Sequence, residues 1–458
     1  MTANHDRYWE DPRYPTPGVY FEEIAPKKVP ELRTGVPAFL GFSQPTDLTR
    51  RLETGRFLHP YALTAWTRFA ALVGKAAPGG FLDHAVRGFF ANGGETCVVI
   101  PLPLRQDWLD REPAEQSQWV TDKVKQGLEL LELETLERNR DLELKALELM
   151  ESVDLICAPD LSLALRPALQ KLARQKKEGT QVEELESMVE SMIGAQRSIL
   201  KHCWEMKNRF AILDSIPTTN SDLPSGKPPL QKEIYAMLKH WHALVPGKVA
   251  LTQGALYCPW VRPTWTRDFV PPCGHVAGIY ARVDSRIGVH KAPANEIVEG
   301  TVDLERQVND QDQRILNSVG VNCLRAFPGR GIRVWGARTL SPWPQWRYVN
   351  VMRLFITLVR WIDHTSRDLV FEPNTPALWE PIRGRLNNYC YDLFQKGALK
   401  GQTPAEAFFV KCDAETNPPE KRETGEVISE VGLAPVMTAE FIVVRITHSA
   451  AGSTFTGP

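Results

Sequence analysis

Prolines in the first 35 residues constrain the fold more than any other feature of this sequence. They stand at positions 12, 15, 17, 26 and 30. Because proline fixes φ and lacks a backbone N–H, this region cannot form a helix, and we expect residues 1–35 to form an extended N-terminal arm. Within the arm, one short stretch has strand-like composition, namely Val19, Tyr20, Phe21, Glu22, Glu23 and Ile24. It has no hairpin partner beside it, so it must pair with a distant segment or with another chain.

Length and composition indicate a globular protein of two or three domains. The chain has 458 residues, of which 43% are hydrophobic and 24% are charged. Lys and Arg number 54 against 55 Asp and Glu, which gives a net charge of -1. A charge so close to zero provides no general field for a polyanion, so nucleic acid is not an expected partner.

The N-terminal residues contain no apolar core of a secretory signal, and the sequence has no run of about 18 apolar residues that could span a membrane. We therefore expect synthesis in the cytoplasm without a signal peptide, and no direct membrane insertion. Eight cysteines are scattered along the chain without any C-x-x-C spacing. Reduced and mostly buried thiols are the better interpretation than disulfides or a zinc site.

Residues 36–340 alternate strand-like and helix-like patterns, which favours an α/β domain with helices on the faces of a mixed sheet. A helix is predicted over residues 80–91, ended by the Asn92-Gly93-Gly94 turn. Buried strands are predicted at residues 37–42, 96–100, 154–159, 210–217 and 248–261. Two stretches near 105–150 and 165–205 are rich in Glu, Leu, Lys and Gln, and we interpret them as helical insertions on the outside of the sheet, with a partner-binding helix as the alternative.

Residues 341–448 have the pattern of a smaller α+β domain. Apolar residues at helical spacing predict one helix over residues 351–362 and a second over residues 379–394, with Pro381 in the first turn of the second helix and Gly397 after its end. Thr403 and Glu406 form a predicted capping box before a strand at residues 407–413. A last strand covers residues 439–447, and residues 449–458 are expected to be a flexible tail.

Motifs that carry catalysis or bind a cofactor are absent from the sequence. There is no phosphate-binding G-x-x-x-x-G-K-[ST] and no G-x-S-x-G nucleophile motif. His240 and His242 lie two residues apart on a predicted helix and therefore face different directions. We assign no catalytic, metal-binding or cofactor-binding residue.

The stretch PPCGHVAGIYARVDSRIGVHKAPAN (271–295) is the strongest candidate for an active site, because it combines Cys273, two histidines and Asp284. Catalysis would need Cys273 or His275 to be paired with a base and an orienting group. Glycines and prolines in the stretch favour a scaffold instead, with a long meandering backbone along which Arg282, Asp284 and Arg286 neutralise one another.

Sequence motifs spread along the chain resemble those of contractile tail sheath proteins of phages, R-type pyocins and extracellular contractile injection systems. They include FLDHAVRGFFANGGETCVVI (81–100), RFAILDSIP (209–217), the 270–295 stretch, LNSVGVNCLRAFPGRGIRVWGARTLS (316–341), FEPNTPALW (371–379) and GALKGQTPAEAFFVKCDAETN (397–417). TPGVYFEEI (16–24) and TAEFIVVRI (438–446) are similar to the terminal strands of that family.

The resemblance implies a subtilisin-like layout for the larger domain and a structural role without enzyme activity. Hexameric rings of the subunit would stack around an inner tube and contract from a metastable state, driving the tube through a target membrane. The implied partners are further copies of the chain, the inner tube protein, and the baseplate and tail-terminator or cap proteins. The N-terminal strand would join neighbouring copies by β-augmentation, as would a C-terminal strand formed by Phe441, Ile442, Val443, Val444, Arg445 and Ile446.

We expect the helix after Trp379 to face the inner tube, with Arg383, Arg385 and Lys396 meeting acidic groups. Two alternatives to a sheath subunit stay open at this point. The chain could be a baseplate or tail accessory protein that shares the sheath module. It could also be a subtilisin-like hydrolase, although its Ser and His residues lack a nucleophile or oxyanion motif.

Overall fold

The computed structural model describes residues 32–43, 60–75, 77–103, 113–129, 150–163, 180–217, 249–436, 442–449 and 452–456. Its helices are α1 (Phe69–Leu72), α2 (Leu82–Ala91), α3 (Pro113–Glu129), α4 (Thr180–Met206), α5 (Cys273–Arg286), α6 (Asp310–Ser318), α7 (Val349–Ser366), α8 (Pro376–Gln395), α9 (Pro404–Ala407) and α10 (Pro419–Glu423). Its strands are β1 (Pro37–Ser43), β2 (Tyr61–Leu63), β3 (Cys97–Pro103), β4 (Leu155–Cys157), β5 (Phe210–Asp214), β6 (Gly254–Cys258), β7 (Val261–Pro263), β8 (Thr301–Leu304), β9 (Val321–Phe327), β10 (Gly331–Trp335), β11 (Phe408–Lys411), β12 (Val427–Leu433), β13 (Ile442–Ser449) and β14 (Gly452–Thr456).

A mixed eight-stranded sheet forms the centre of the larger part of the molecule. Its strand order is β10-β9-β6-β5-β4-β1-β3-β2. The six inner strands are parallel, while β10 and β2 pair antiparallel at the two edges. The α/β class expected from the sequence is confirmed. The strand predicted at residues 248–261 begins later, because Val249–Gln253 forms a 3-10 helix before β6.

Apolar residues cover both faces of the central sheet, because helices pack on each side. In β1, Phe39 points into one core, whereas Leu40 and Phe42 point into the other. Helices α2 and α5 cover the first face, and α3, α4 and α6 cover the second. Side chains alternate along a strand, so a run such as PAFLGF has to be buried on both sides.

The helix predicted over residues 80–91 is α2, and it ends as expected. The Gly93 N–H donates to the Phe90 carbonyl at 3.3 Å, and the Gly94 N–H donates to the Phe89 carbonyl at 3.0 Å. Gly93 has a φ of 92°, in the region that favours glycine. This hydrogen-bond pattern is a Schellman cap.

The Leu/Glu-rich insertions contribute to the core wherever the structure describes them. Helices α3 and α4 pack against each other, and α3 buries Val120, Val124 and Leu128 against the sheet while α4 buries Ile193 and Ile199. These helices are therefore amphipathic covers of the sheet rather than fully solvated appendages. Residues 130–149 and 164–179 lie outside the described part of the chain.

Both helices predicted for the C-terminal third are present, with differences at their starts. Helix α8 begins at Pro376, so Pro381 lies inside the helix rather than in its first turn, and Gly397 follows its end with a φ of 70°. The predicted capping box is wrong, because Thr403 makes no side-chain cap bond and Glu406 accepts the N–H of Gln402, the residue before the N-cap, at 2.9 Å.

A second, antiparallel sheet has the order β11-β12-β13-β14 and packs against α8. Its strand β12 was not predicted. Residues 452–456, expected in a flexible tail, form β14 instead. All eight cysteines are buried, as expected. None of the helices in the described ranges is long and apolar enough to cross a membrane.

Two glycines make the close packing of α2 on α5 possible. A Cβ at Gly274 would overlap the Ala85 carbonyl, and one at Gly278 would overlap the Phe89 carbonyl. Neither backbone can move without disturbing its whole helix, so any side chain here forces the two helices apart.

Gly274→Ala should therefore destabilise the protein, whereas Gly384→Ala in α8 should stabilise it. Nothing lies within 4 Å of a Cβ at Gly384. Replacing a helical glycine without strain gains about 0.5–1 kcal/mol. Urea denaturation of the two variants measures both changes in the free energy of unfolding. An equal change in both variants would contradict the close packing of α2 on α5.

Candidate functional site

Residues 273–286 form helix α5, so the meandering backbone predicted for this stretch is wrong. Eleven of its residues are buried. The ladder predicted between Arg282, Asp284 and Arg286 is also wrong, because residues two apart on a helix face different directions. Arg286 donates to Glu296 at 2.6 Å, and Arg282 lies 3.7 Å from the same carboxylate. Asp284 turns inward instead, toward α7.

Asp284 forms a two-pronged ion pair with Arg353 of α7. The two guanidinium nitrogens donate to the two carboxylate oxygens at 2.6 and 2.8 Å. Arg353 also donates to Asp154, just before β4, at 3.0 Å. These side chains are 2–3% exposed, so water screens none of the contacts. Arg353 thereby connects the sheet, helix α5 and helix α7.

The same carboxylates hold residues 34–36, which adjoin the predicted N-terminal arm. Asp154 accepts the N–H groups of Gly35 at 3.0 Å and Val36 at 2.7 Å. The Thr34 side chain is hydrogen-bonded to Asp284. We call this group the arm-root cluster; its members are Thr34, Gly35, Val36, Asp154, Asp284, Arg353 and Arg360.

Gly35 is required by the geometry of the cluster. Its φ is 71°, and a Cβ there would lie 2.6 Å from the Ala281 Cα. A larger residue would lift the chain off α5 and pull its N–H away from Asp154. Gly35 therefore fixes the backbone of residues 34–36 against α5.

Two arginines and two aspartates balance the charge of the cluster. Burial opposes a charge on Arg353, but Asp284 and Asp154 outweigh it and raise the pKa of the guanidinium. Burial raises the pKa of Asp284, and Arg353 opposes this effect. Arg360 lies 3.8 Å from Asp154 and donates to the Ser152 carbonyl at 2.7 Å. Burial lowers the pKa of Arg360.

Sequence reasoning missed this cluster, although a recognisable pattern was present. Arg353 and Arg360 are seven residues apart on a helix whose residues from Val349 to Arg360 are all buried. Arginines seven apart share a face, and a buried arginine requires an anionic partner. The partners could not be named, because Asp154 and Asp284 are 199 and 69 residues away from Arg353.

Cys273 and His275 lack the geometry of a nucleophile and base. Burial and the neighbouring Cys157 and Asp214 raise the pKa of the Cys273 thiol well above its usual value. Both ring nitrogens of His275 are buried without a hydrogen-bond partner, and the ring stacks on Trp265 at 5.7 Å. Burial lowers the pKa of His275 to about 3. The scaffold interpretation of this stretch is supported.

Aspartates at strand ends, where many α/β enzymes carry their chemistry, bind mainly backbone N–H groups here. Asp160 follows β4 and accepts the N–H groups of Phe42 and Phe81 at 2.6 and 2.5 Å. Asp214 ends β5 and accepts the Cys273 N–H at 2.8 Å. Burial raises the pKa of both aspartates to about 7. Both carboxylates are buried and hold neighbouring backbone in place.

The basic residues predicted to face the tube are already paired within the chain. Arg385 binds Asp368 through two hydrogen bonds of 2.7 and 2.8 Å. Arg383 pairs with Glu380, and Lys396 pairs with Asp392 at 2.8 Å. These side chains are 39–59% exposed, and their role toward a tube stays a prediction.

Both terminal strands also stay predictions. Residues 19–24 and Phe441 lie outside the described residues. Residues 442–446 belong to β13, which pairs with β12 of the same chain from Leu433↔Ile442 to Val427↔His448. Strand β13 thus has both of its neighbours, β12 and β14, within one copy.

Arg353→Met should lower the free energy of unfolding by about 3–5 kcal/mol, because it leaves buried carboxylates without their partner. Arg367→Met at the end of the same helix is the matched control. Arg367 is 52% exposed, and its removal should change stability by about 0.5 kcal/mol or less. Urea denaturation of both variants checks this, and similar losses would contradict a cluster that depends on Arg353.

His275→Phe should leave stability at pH 7 within about 1 kcal/mol of the wild type, because the ring stack is kept and no hydrogen bond is lost. His275 has a pKa of about 3 in the folded state, so below pH 6.5 its ring takes up a proton in the unfolded chain but not in the folded one. The free energy of unfolding therefore falls as the pH falls below 6.5. The variant should gain about 2 kcal/mol over the wild type at pH 5. Thermal unfolding at both pH values measures the stability difference between the variant and the wild type. A difference that is the same at pH 5 and pH 7 would contradict a buried neutral histidine.

Comparison with known proteins places these features in one family. Residues 242–340 match the model of the phage tail sheath protein central domain, and residues 341–449 match that of the phage tail sheath C-terminal domain. The tail sheath protein of Vibrio phage KVP40 is 23% identical over 195 residues, which is 41% of this chain and 28% of that protein. The tail sheath protein of Burkholderia phage BcepMu is 27% identical over 168 residues, or 34% of each chain. The chain thus spans about a third of these relatives.

Solved structures match over almost the whole chain. A chain of the anti-feeding prophage baseplate is 26% identical, with a TM-score of 0.61 over 93% of this chain and 97% of that one. A chain of the anti-feeding prophage helical sheath in its contracted state is 25% identical, with a TM-score of 0.59 and the same coverage. Residues 242–449 of this chain thus match the central and C-terminal domains of phage tail sheath proteins, and its fold matches that of a contractile sheath structure over 93% of its length.

Proposed function

We propose that this chain is a structural subunit of a contractile tail sheath, without enzyme activity. The observation that carries the proposal is the match to the contracted anti-feeding prophage sheath over 93% of this chain. Copies would stack as hexameric rings around an inner tube, end at baseplate and terminator proteins, and drive the tube through a target membrane on contraction. The subtilisin-like layout of the larger domain is part of the same proposal.

Strand exchange is the proposed joint between copies. In the isolated chain β13 pairs antiparallel with β12. In the assembly, the C-terminal strand of a neighbour would take that position, and the N-terminal strand of another would extend the sheet. At about 0.5–1.5 kcal/mol net per hydrogen bond, each joint contributes only a few kcal/mol. Several joints per subunit form a strong lattice through effective concentration.

The arm-root cluster gives this lattice a rigid attachment point. Tension on the arm reaches Thr34, Gly35 and Val36, which are bound to Asp154 and Asp284. Arg353 of α7 binds both aspartates, so the force would be transmitted to α7 and the C-terminal part of the chain. Rings can then turn as bodies while the connecting strands stay attached, and contraction releases free energy by packing alone.

Contacts with the tube should be weak, since the sheath has to release it. Exposed ion pairs contribute about 0–1 kcal/mol each. Arg383, Arg385 and Lys396 would exchange their present carboxylate partners for those of the tube at little net cost.

A baseplate component is the second candidate, because the anti-feeding prophage baseplate chain matches with a TM-score of 0.61. Electron microscopy of the purified chain, alone and with its tube protein, distinguishes the two functions. Long striated tubes are expected for a sheath. Short rings that never stack would support the baseplate role, and hydrolase turnover by single molecules would contradict both.

Deletion of residues 1–24 should leave a folded, soluble subunit that forms no sheath, because the arm strand that links copies is gone. Phe21→Pro should reproduce the defect, since proline removes a backbone donor from the strand. Phe21→Ala keeps the backbone and is the control, for which assembly is expected. Normal sheaths from the deletion variant, seen by negative-stain microscopy, would refute the arm as a joint.

A further inference from the structure

Phe371 is the most exposed large apolar side chain of the described residues. It is 93% exposed in the connection between α7 and α8, whereas the other exposed residues of this kind reach 39–57%. Its φ is 76°, a left-handed conformation that is rare and costly for a bulky residue. Such strain at a surface position points to a functional contact.

Hydrogen bonds within the connection hold the backbone around Phe371. The Glu372 N–H donates to the Leu369 carbonyl at 3.3 Å, and the Thr375 N–H donates to the Pro373 carbonyl at 2.8 Å. The left-handed turn is therefore part of a defined loop.

Asn374 fastens the same loop to the body. Its side chain donates to the Glu426 carbonyl at 2.8 Å and accepts the Trp379 indole N–H at 2.7 Å. A side chain presented on a fixed backbone loses little conformational entropy on binding. Aromatic side chains that become buried on binding contribute most of the energy of many protein interfaces.

The position of the loop indicates which partner covers Phe371. Glu426 immediately precedes β12, and Val427 pairs with His448 at the end of β13. Phe371 is thus presented beside the end of the sheet at which neighbouring copies are proposed to exchange strands.

Two charged residues before the loop are paired within the chain: Asp368 is bound by Arg385, and Arg367 pairs with Glu151 and Asp363. Glu372, next to Phe371, is exposed. The ring of Phe371 is the main apolar contribution that this loop offers to a partner.

We propose that Phe371 anchors the contact between neighbouring copies of this chain, by entering an apolar pocket of the adjacent subunit beside the exchanged strands. The inference rests on the proposed sheath function and adds to it a specific contact residue. Its distinguishing consequence is that Phe371 is unfavourable in the isolated subunit and favourable in the assembly.

Phe371→Asn separates these two effects, because asparagine accepts the left-handed conformation and carries no apolar group. Thermal unfolding of the unassembled variant should occur at or above the wild-type temperature. The critical concentration for tube formation, measured by sedimentation and electron microscopy, should rise at least tenfold. Phe371→Tyr keeps the ring and should assemble nearly as well as the wild type.

Val302→Thr is the matched control, since Val302 is 57% exposed in β8. It should assemble like the wild type. Assembly of Phe371→Asn at the wild-type concentration would overturn the inference while leaving the sheath function intact. Loss of tube-protein binding with normal self-assembly would assign Phe371 to the tube and also overturn it. A wild-type chain that forms no tubes would refute the sheath function, and this contact with it.

Discussion

The contact between Arg353 and the two aspartates Asp154 and Asp284 is the interaction on which the arrangement of the molecule depends. It is buried, and it joins the central sheet, helix α5, helix α7 and the backbone of Gly35. An ion pair in this setting contributes little net stability, yet removal of one member is severe because the remaining charges stay buried. Its role is to specify one arrangement of residues 35 and 36, α5 and α7.

That geometry bears on the proposed function. In the proposed sheath, connections between neighbouring subunits determine the lattice. Gly35, bound through its N–H and packed against Ala281, holds residues 34–36 in one backbone conformation. At the other end of α7, the hydrogen-bonded loop that carries Phe371 presents the second proposed contact. Helix α7 therefore links two proposed contact points through one rigid element.

Features that resembled an active site have structural roles. Asp160 and Asp214 lie at strand ends, but their oxygens accept backbone N–H groups. His275 fills the space between α2 and Trp265 without any hydrogen bond. An α/β sheet with charged residues at its strand ends is compatible with many functions, and only the contacts of those residues separate catalysis from scaffolding.

Local patterns in the sequence determined the strands β1, β3, β4 and β5, helices α2, α7 and α8, and the cap at Gly93, because periodicity and turn chemistry act over a few residues. The motifs also determined the family. Only the tertiary structure decided that Asp284 pairs with Arg353 rather than with Arg282 or Arg286, and that residues 273–286 form a buried helix. Partners 69 and 199 residues apart meet through the packing of whole elements, and no short-range pattern encodes that distance.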